Sequence, residues 1–478
     1  MKFTILSHAG MLVEHDGKSV LFDPWLVGSC YWRSWWNFPE IEREFLDSIK
    51  PDYIYLTHLH WDHFHSPSLR LFDRDTHFLV PKIPGTRMVR DLRSIKRANV
   101  TEIPHGKSFE LWEGCHLHSY QFGLFAADSA AVISDGKTTL LNANDCKIFG
   151  LPLNQIRRTF PKIDFVFRSH SSATPIPYCI KDSDQQFDSH RTQQDYIDEF
   201  TSFAHSVRAS YAIPFASNHC FLHRETRKFN DTSVNPKMVA DHFNAHKDSV
   251  GSECVVMTPG SSWSSEGGFS LREFDYSKKE EVIDAMAAKY ADKLNKQYAK
   301  EEQYKSSFAA FERYFSGFLR STPLVMRKAL LPKVLFKTRD VDGDKFYLLD
   351  IPGKQIRELT VDTDDVDLKI TTPAIVLMSC VRQKMFSTWA ASKRLEIELV
   401  NSGLSKLNVF FAALDFYENE GLPLRSNLAP RNFGIWLRRW REGFEGLRLF
   451  VRHKIFRRKF VINELYSDTP IQQIDARR

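Results

Sequence analysis

The stretch Thr57-His58-Leu59-His60-Trp61-Asp62-His63 sets three imidazoles and one carboxylate within six consecutive positions. These are the side-chain types that bind divalent metal ions, at about 2.0–2.2 Å per nitrogen or oxygen donor. A metal held there has two uses. As a Lewis acid it lowers the pKa of bound water toward about 7 and supplies hydroxide at neutral pH, with Asp62 placed to orient the water or accept its proton. As a redox ion it activates oxygen. A polar loop with surface histidines is the bland alternative. Against it, the preceding Tyr53-Ile54-Tyr55-Leu56 has the pattern of a buried strand and delivers the cluster to a strand end. In an extended chain His58 and His60 share one face, and Asp62 and His63 fall in the turn that follows.

The surrounding motifs carry a family resemblance. Phe3-Thr4-Ile5-Leu6-Ser7-His8-Ala9-Gly10 and Met11-Leu12-Val13-Glu14 lead to a turn at His15-Asp16-Gly17-Lys18. Val20-Leu21-Phe22-Asp23-Pro24-Trp25 follows, so two apolar runs flank Asp-Gly as in a β-hairpin. With the histidine cluster, this pattern resembles the metallo-β-lactamase superfamily. The branch is the one that includes ascorbate-phosphate lactonase, phosphatidylethanolamine-cleaving phospholipase D enzymes and CMP-N-acetylneuraminate hydroxylase. The metallo-β-lactamase-like region of the hydroxylase is the most similar. Asp23-Pro24-Trp25-Leu26, Trp35-Trp36, Leu141-Asn142-Ala143-Asn144-Asp145-Cys146, Ser171–Pro177, Pro214-Phe215-Ala216-Ser217 and Thr258-Pro259-Gly260 carry that likeness over about residues 1–275.

The resemblance implies an α/β fold, the four-layer αββα metallo-β-lactamase sandwich, with metals at strand ends between two sheets. It implies that His58 and His60 hold one ion and Asp62 and His63 the other, that Asp145 bridges them, and that His219 is the last histidine ligand. One further histidine is expected between the strand His116–Phe122 and Asp128, but Tyr120–Ala127 contains none. Gln121 is at a plausible place yet is a poor zinc ligand, and His116 and His118 require a register shift. His8, Asp23 and His65 are candidates to orient the ligating imidazoles. One or two divalent ions are expected, zinc first, with iron or manganese open.

On the substrate side, Trp25, Tyr31, Trp32, Trp35, Trp36 and Phe38 crowd one early loop. Trp35 and Trp36 are candidates to line a pocket or stack on a ring, or else they pack beneath an interface. Arg168-Ser169-His170-Ser171-Ser172 follows the predicted strand Phe165–Phe167. Arg168, His170 and Ser171 there could receive an anionic group, or form a turn stabilised by serine side chains.

The 478 residues call for two or three domains, and 42% hydrophobic with 13% aromatic residues is ample for a core. A net charge of +6 permits a small anionic substrate without demanding nucleic acid. The seven cysteines, at positions 30, 115, 146, 179, 220, 254 and 380, form no disulfide framework. With no signal-peptide layout and no apolar run long enough to span a bilayer, a cytoplasmic location is the expectation.

Short predicted strands alternate with helices through residue 275, among them a helix over Thr192–Ala209. Lys278–Arg320 reads as a helical linker, with Val282, Ile283, Met286, Tyr290, Leu294 and Tyr298 down one side. Residues 321–478 read as an α+β accessory domain, with strands at Lys345–Ile351, Val366–Ile370 and Arg394–Val400 and helices at Pro373–Lys384 and Phe386–Lys393. Part of it resembles sterol-carrier-type modules, and a scaffold or dimerisation role is the alternative. The basic helical segment Trp436–Lys459 is a solvated face or, second, a membrane-surface contact.

Three functions follow as expectations. The first is a hydrolase that uses metal-bound hydroxide on a phosphoester, ester or lactone of an anionic metabolite. The second is an iron-dependent oxygenase of a sugar-nucleotide-like substrate. Cys115/His118 and Cys220/His223 have Cys-x-x-His spacing, but no Cys-x-His pair accompanies them. The Rieske module of the hydroxylase family is therefore expected to be absent, or to sit on a separate electron-transfer partner. The third is a binding protein with a degenerate metal site.

Overall fold

The computed structural model describes residues 1–121, 128–181, 192–246, 251–451 and Tyr466. Two sheets face one another. The first has eight strands in the order Gly268–Ser270, Ser262–Ser264, Lys2–Ile5, Met11–His15, Lys18–Phe22, Tyr53–Tyr55, His77–Pro81 and Val100–Ile103. The second has seven, in the order Glu253–Cys254, Tyr211–Phe215, Phe165–Ser169, Thr139–Asn144, Ser129–Ser134, Cys115–Gln121 and Lys107–Trp112.

Period-two alternation sorts the side chains. Val20 and Phe22 enter the core between the sheets with Phe3, Leu117, Ile133, Phe165 and Ile213. Leu21, between them, turns to the outer side, where Leu69, Met88 and Leu92 of two short helices cover it. On the far side of the second sheet, the helices Gly150–Thr159, Gln193–Val207 and Pro236–Ala245 pack Ile156, Phe200 and Phe243 against Val132, Leu141 and Val166. The layers are thus α, β, β, α. The helix predicted over Thr192–Ala209 is Gln193–Val207. It is capped by reciprocal Thr192 and Asp195 bonds and stopped by Arg208 in the left-handed region, φ 57°.

The interval read as one linker is three helices, Lys279–Lys289, Ala291–Glu302 and Phe308–Ser321. The predicted stripe is the face they bury: Ile283, Met286 and Leu294 join Trp36, Phe38, Cys220 and Leu222 in one cluster. Beyond it lies a five-stranded sheet ordered Gln355–Leu359, Gly343–Asp350, Lys333–Asp340, Leu368–Pro373, Glu396–Leu399. Its one parallel pair is Lys333–Asp340 with Leu368–Pro373. The central strand Lys333–Asp340 and the helix Leu404–Glu418 were not anticipated from sequence. The core of this sheet, with Phe311, Phe336, Trp389 and Phe410, is continuous with Trp25, Tyr31, Trp35 and Phe221 of the sandwich.

The basic C-terminal segment is resolved into Pro430–Arg438 and Trp440–Phe450. Arg452, Lys454, Arg457, Arg458 and Lys459 lie outside the described residues. No helix among the described residues is long and apolar enough to cross a membrane. All seven cysteines are buried and unpaired.

Candidate metal centre

The histidine cluster leaves the sheet directly after Tyr53–Tyr55, and a neighbouring carboxylate fixes its exit. Asp23, following the strand Lys18–Phe22 with φ 38°, accepts from Thr57 N at 2.8 Å and Thr57 Oγ1 at 2.6 Å. His63 N and Phe64 N donate to His60 O at 3.0 and 2.7 Å, which folds His63 back over His58. The His63 Nδ1–H then meets Asp23 Oδ2 at 2.8 Å, leaving Nε2 directed at Asp145 Oδ2, 3.2 Å away. Asp23 therefore sets the tautomer and orientation of His63, as carboxylates behind metal-binding histidines do.

Three groups of donors converge, each with ligand atoms within 4.8 Å of one another: His58, His60 and Asp128; His58, His63 and Asp145; and His8, Asp62 and His63. His58 Nε2 and His60 Nδ1 face each other at 2.9 Å. Asp62 Oδ2 lies 3.1 Å from His8 Nε2 and 3.5 Å from His63 Nε2, and its other oxygen accepts the Tyr31 hydroxyl.

The electrostatics suit a cation. Burial, with His63 and His60 alongside, holds the His58 imidazole well below its usual range and so favours the neutral form that a metal ligand requires. Burial alone would push Asp62 up, but His63 and His8 outweigh it and keep the carboxyl well below the carboxylate range. Asp145 is lowered in the same way, against its burial, by His63. His63 itself is pushed well up: burial opposes its charge, and Asp62 and Asp23 more than compensate. A proton on His63 thus does among these carboxylates what a metal cation would do. The donor set, with four imidazoles and three carboxylates, fits one or two divalent ions.

The sequence-predicted ligands His58, His60, Asp62, His63 and Asp145 are brought together. His219 is not in these groups. Its ring lies flat on Trp35, centroids 3.6 Å apart, with both nitrogens buried and without hydrogen-bond partners. His8 approaches Asp62 and His63 instead. Gln121 is also elsewhere: its amide donates to Lys82 O and accepts from Arg439 Nη1. The donor that faces His58 and His60 is Asp128, which sequence reading passed over. A signal for it existed. The hairpin pairs Ala131 with Asn142, and continuing that register sets Asp128 opposite Asp145.

The metal donors open on a cavity of about 520 Å³ lined by Tyr31, Trp35, His60, Asp62, Asp145, Lys147, Ser169, Ser171 and Thr174. Its opposite wall comes from the C-terminal part of the chain: Ser387, Ala390 and Ala391 from the helix Phe386–Ser392, and Asn408 and Phe411 from Leu404–Glu418. A larger cavity of about 610 Å³ lies across Tyr31, with Trp32, Arg33, Trp61 and His65 on its walls. Neither Asp62 nor Asp145 lines it, so we assign the chemistry to the smaller one.

Of the predicted substrate residues, Trp35 and Ser171 line the smaller cavity. Trp36 does not; it is buried against Tyr290, centroids 4.2 Å apart. His170 is fully buried, its backbone N donating to Ser217 Oγ, and burial lowers its imidazole to about 3. Arg168 does not reach the cavity. Strand alternation sends Ser169 to the cavity and Arg168 to the helix side, where it pairs with Glu199 at 2.8 Å and donates to Tyr466 Oη at 2.7 Å.

Residues 2–139 match the family model described as Beta-lactamase superfamily domain. A protein of Mycobacterium tuberculosis named as a candidate Rieske 2Fe-2S iron-sulfur protein is 27% identical over 320 residues, covering 62% of this chain and 61% of that protein. The cytidine monophosphate-N-acetylneuraminic acid hydroxylase of Cricetulus griseus is 38% identical over 152 residues, 30% of this chain and 27% of its own length. The chain thus spans about three fifths or less of these relatives. Among solved structures, a diiron β-hydroxylase from Streptomyces venezuelae aligns at 14% identity and TM-score 0.38, over 54% of this chain and 53% of that one. An isothiocyanate hydrolase from Delia radicum gut bacteria aligns at 12% identity and TM-score 0.41, over 55% of this chain and 99% of its own. With its two facing sheets, its strand-end histidine cluster and this family match, the chain carries a metallo-β-lactamase-superfamily domain.

Proposed function

We propose that the chain is an oxygen-activating metalloenzyme whose dinuclear centre takes iron, and that it oxidises a small polar or anionic molecule with electrons from a separate protein. The observation that carries this reading is Asp128. A third carboxylate facing His58 and His60 makes the donor set richer in hard oxygen ligands than an all-histidine zinc site. Iron bound there would supply the one-electron chemistry that activates dioxygen.

The residues of the chain do the remaining work. Asp23 holds the orientation of His63, and the Tyr31 hydroxyl donates to Asp62 Oδ1, which fixes that carboxylate. Burial, then Asp62 itself, pushes Tyr31 well above its usual range, so it stays a donor. Trp35 and Phe411 give the cavity apolar walls. Lys147, 3.2 Å from Glu199 and on the cavity wall, offers positive charge to a substrate anion. The names of the relatives, a hydroxylase and a candidate Rieske protein, support an electron-transfer partner.

Hydrolysis remains the second reading, because four imidazoles with three carboxylates are also acceptable to zinc. Elemental analysis of protein purified without added metal separates the two. Roughly two irons per chain, as the dinuclear donor set requires, with oxygen consumption when a reductant is supplied, is the expected result. Stoichiometric zinc with turnover of esters, phosphoesters or lactones and no oxygen uptake would overturn it.

A further inference from the structure

The helices Pro430–Arg438 and Trp440–Phe450 present an apolar stripe to solvent. Phe433, Leu437, Trp440, Phe444 and Leu447 recur at helical spacing and are 52–66% exposed, and Leu428 just before them is 73% exposed. Isolated surface leucines need no explanation, but a continuous stripe with two aromatic rings in contact, Trp440 and Phe444 at 5.7 Å, does.

The charges around the stripe are segregated. Arg425, Arg438, Arg441 and Arg448 are exposed. The two acidic residues of these helices point the other way: Glu442 pairs with the buried Arg439, and Glu445 accepts from Leu151 N. The helices are fixed from behind. Arg439 donates to the side chain and backbone of Gln121, Arg431 pairs with Glu102, and Asn432 accepts from Gly85 N. The stripe is therefore a firm outward face rather than a loose tail.

We propose that this face docks on a membrane leaflet carrying anionic phospholipid headgroups, with the aromatic and aliphatic side chains in the headgroup–acyl boundary and the arginines on the phosphates. Trp, Phe and Leu rimmed by arginine, with acidic groups turned inward, is the composition of an interfacial helix. A second copy of the chain fits less well, because a two-fold contact through this face would set the same arginines against one another. The proposal does not depend on which reaction the metal centre performs.

The test is flotation of the full chain with phosphatidylcholine vesicles, with and without phosphatidylserine, beside size-exclusion light scattering. Binding to the phosphatidylserine vesicles only, weakened by salt, is expected. An arginine near an anionic surface contributes about fivefold to partitioning, so Arg438→Glu/Arg441→Glu is expected to weaken binding more than tenfold. Leu437→Glu/Phe444→Glu should abolish it. Both variants alter exposed side chains, and unchanged melting and metal content would show that fold and metal centre are intact. No binding, equal binding to neutral vesicles, or binding indifferent to both variants would overturn the proposal. So would a dimer of the parent that both variants dissolve, which would assign the face to a second copy.

Discussion

Replacing Arg394 by Met tests how much one buried ion cluster contributes where the C-terminal part of the chain packs on the sandwich. The Arg394 side chain is wholly buried. Its Nε donates to Glu225 Oε2 at 2.7 Å, its two terminal nitrogens to Glu301 at 3.1 and 2.7 Å, and Nη1 also to Trp32 O at 3.2 Å. Met fills the volume but leaves Glu301 and Glu225 without their cation. Burial opposes the charge on Glu301, yet His223 and Arg394 hold its carboxyl at about 2 against an ordinary 4.5. At about 1.4 kcal/mol per pH unit, that depression amounts to about 3.4 kcal/mol, shared between the two partners. Breaking a buried pair by removing one member costs about 3–5 kcal/mol, so the two routes agree. With an unfolding entropy of about 2.1 cal/mol/K per residue, the 478-residue chain melting as one unit would lose about 3–4 °C. Because the folded carboxyl is depressed, its contribution is present above pH 4.5 and is lost as pH falls through about 2. Scanning calorimetry over that range should show the parent losing stability and Glu301→Gln losing less. A melting point for Arg394→Met within about 1 °C of the parent at neutral pH would refute the reasoning.

Four further outcomes follow. Asp128→Ala should remove one of the metal ions while leaving the fold, measured by elemental analysis and circular dichroism; full metal content would exclude Asp128 as a ligand. Tyr31→Phe removes the hydroxyl that Asp62 accepts and should weaken metal affinity about 10–100-fold in competition with a chelator, with an unchanged constant counting against an orienting role. Glu418 is pushed up to about 7 from 4.5, chiefly by burial, while accepting from Phe386 N and the Tyr314 hydroxyl. Its stabilising contribution is therefore full below pH 4.5 and lost as pH rises through about 7, about 3 kcal/mol in all, and Glu418→Gln should flatten that decline in melts taken across the range. Trp389 is fully buried, stacks on Phe336 and donates to Thr372 Oγ1, so Trp389→Ala should cost about 3–5 kcal/mol in denaturant titration; a loss under about 1 kcal/mol would mean the core rearranges around it.

The part of the site that was legible in the sequence is the part that one local stretch encodes. His58 to His63 declare themselves by type and spacing, and Asp145 by standing at the end of an apolar strand. Asp128 was missed because its role comes from pairing between strands: it becomes a neighbour of Asp145 only once Ser129–Ser134 and Thr139–Asn144 are in register. Arg168 and Trp36 failed for a related reason. Both were assigned by proximity in sequence to chemistry, but each lies in a strand whose alternation sends it away from the cavity. Ser169 and Trp35, their immediate neighbours, face it. The sandwich was readable because its strands alternate cleanly. In the accessory sheet the order of the strands was not, since the central strand Lys333–Asp340 pairs with Leu368–Pro373 across a long crossover that no local pattern announces.

The placement of the C-terminal part of the chain bears on what residues 1–275 alone could do. Residues 1–275 supply every donor, but Ser387, Ala390, Ala391, Asn408 and Phe411 complete the cavity in front of them. Arg394 sits just past the end of the helix that carries the first three of these residues. It also fastens the backbone of Trp32, between Tyr31 and Arg33, where all three residues hold positive φ of 54–68°. Consecutive non-glycine residues in that region are strained and persist only where their surroundings hold them. Here the holding is done from both sides, by Arg394 behind Trp32 and by Asp62 in front of Tyr31. The same ion cluster that holds Arg394 therefore helps fix Tyr31 on Asp62, a candidate metal ligand. The lining of the cavity and the geometry at Asp62 are in this way set jointly by two parts of the chain that composition and periodicity present as separate.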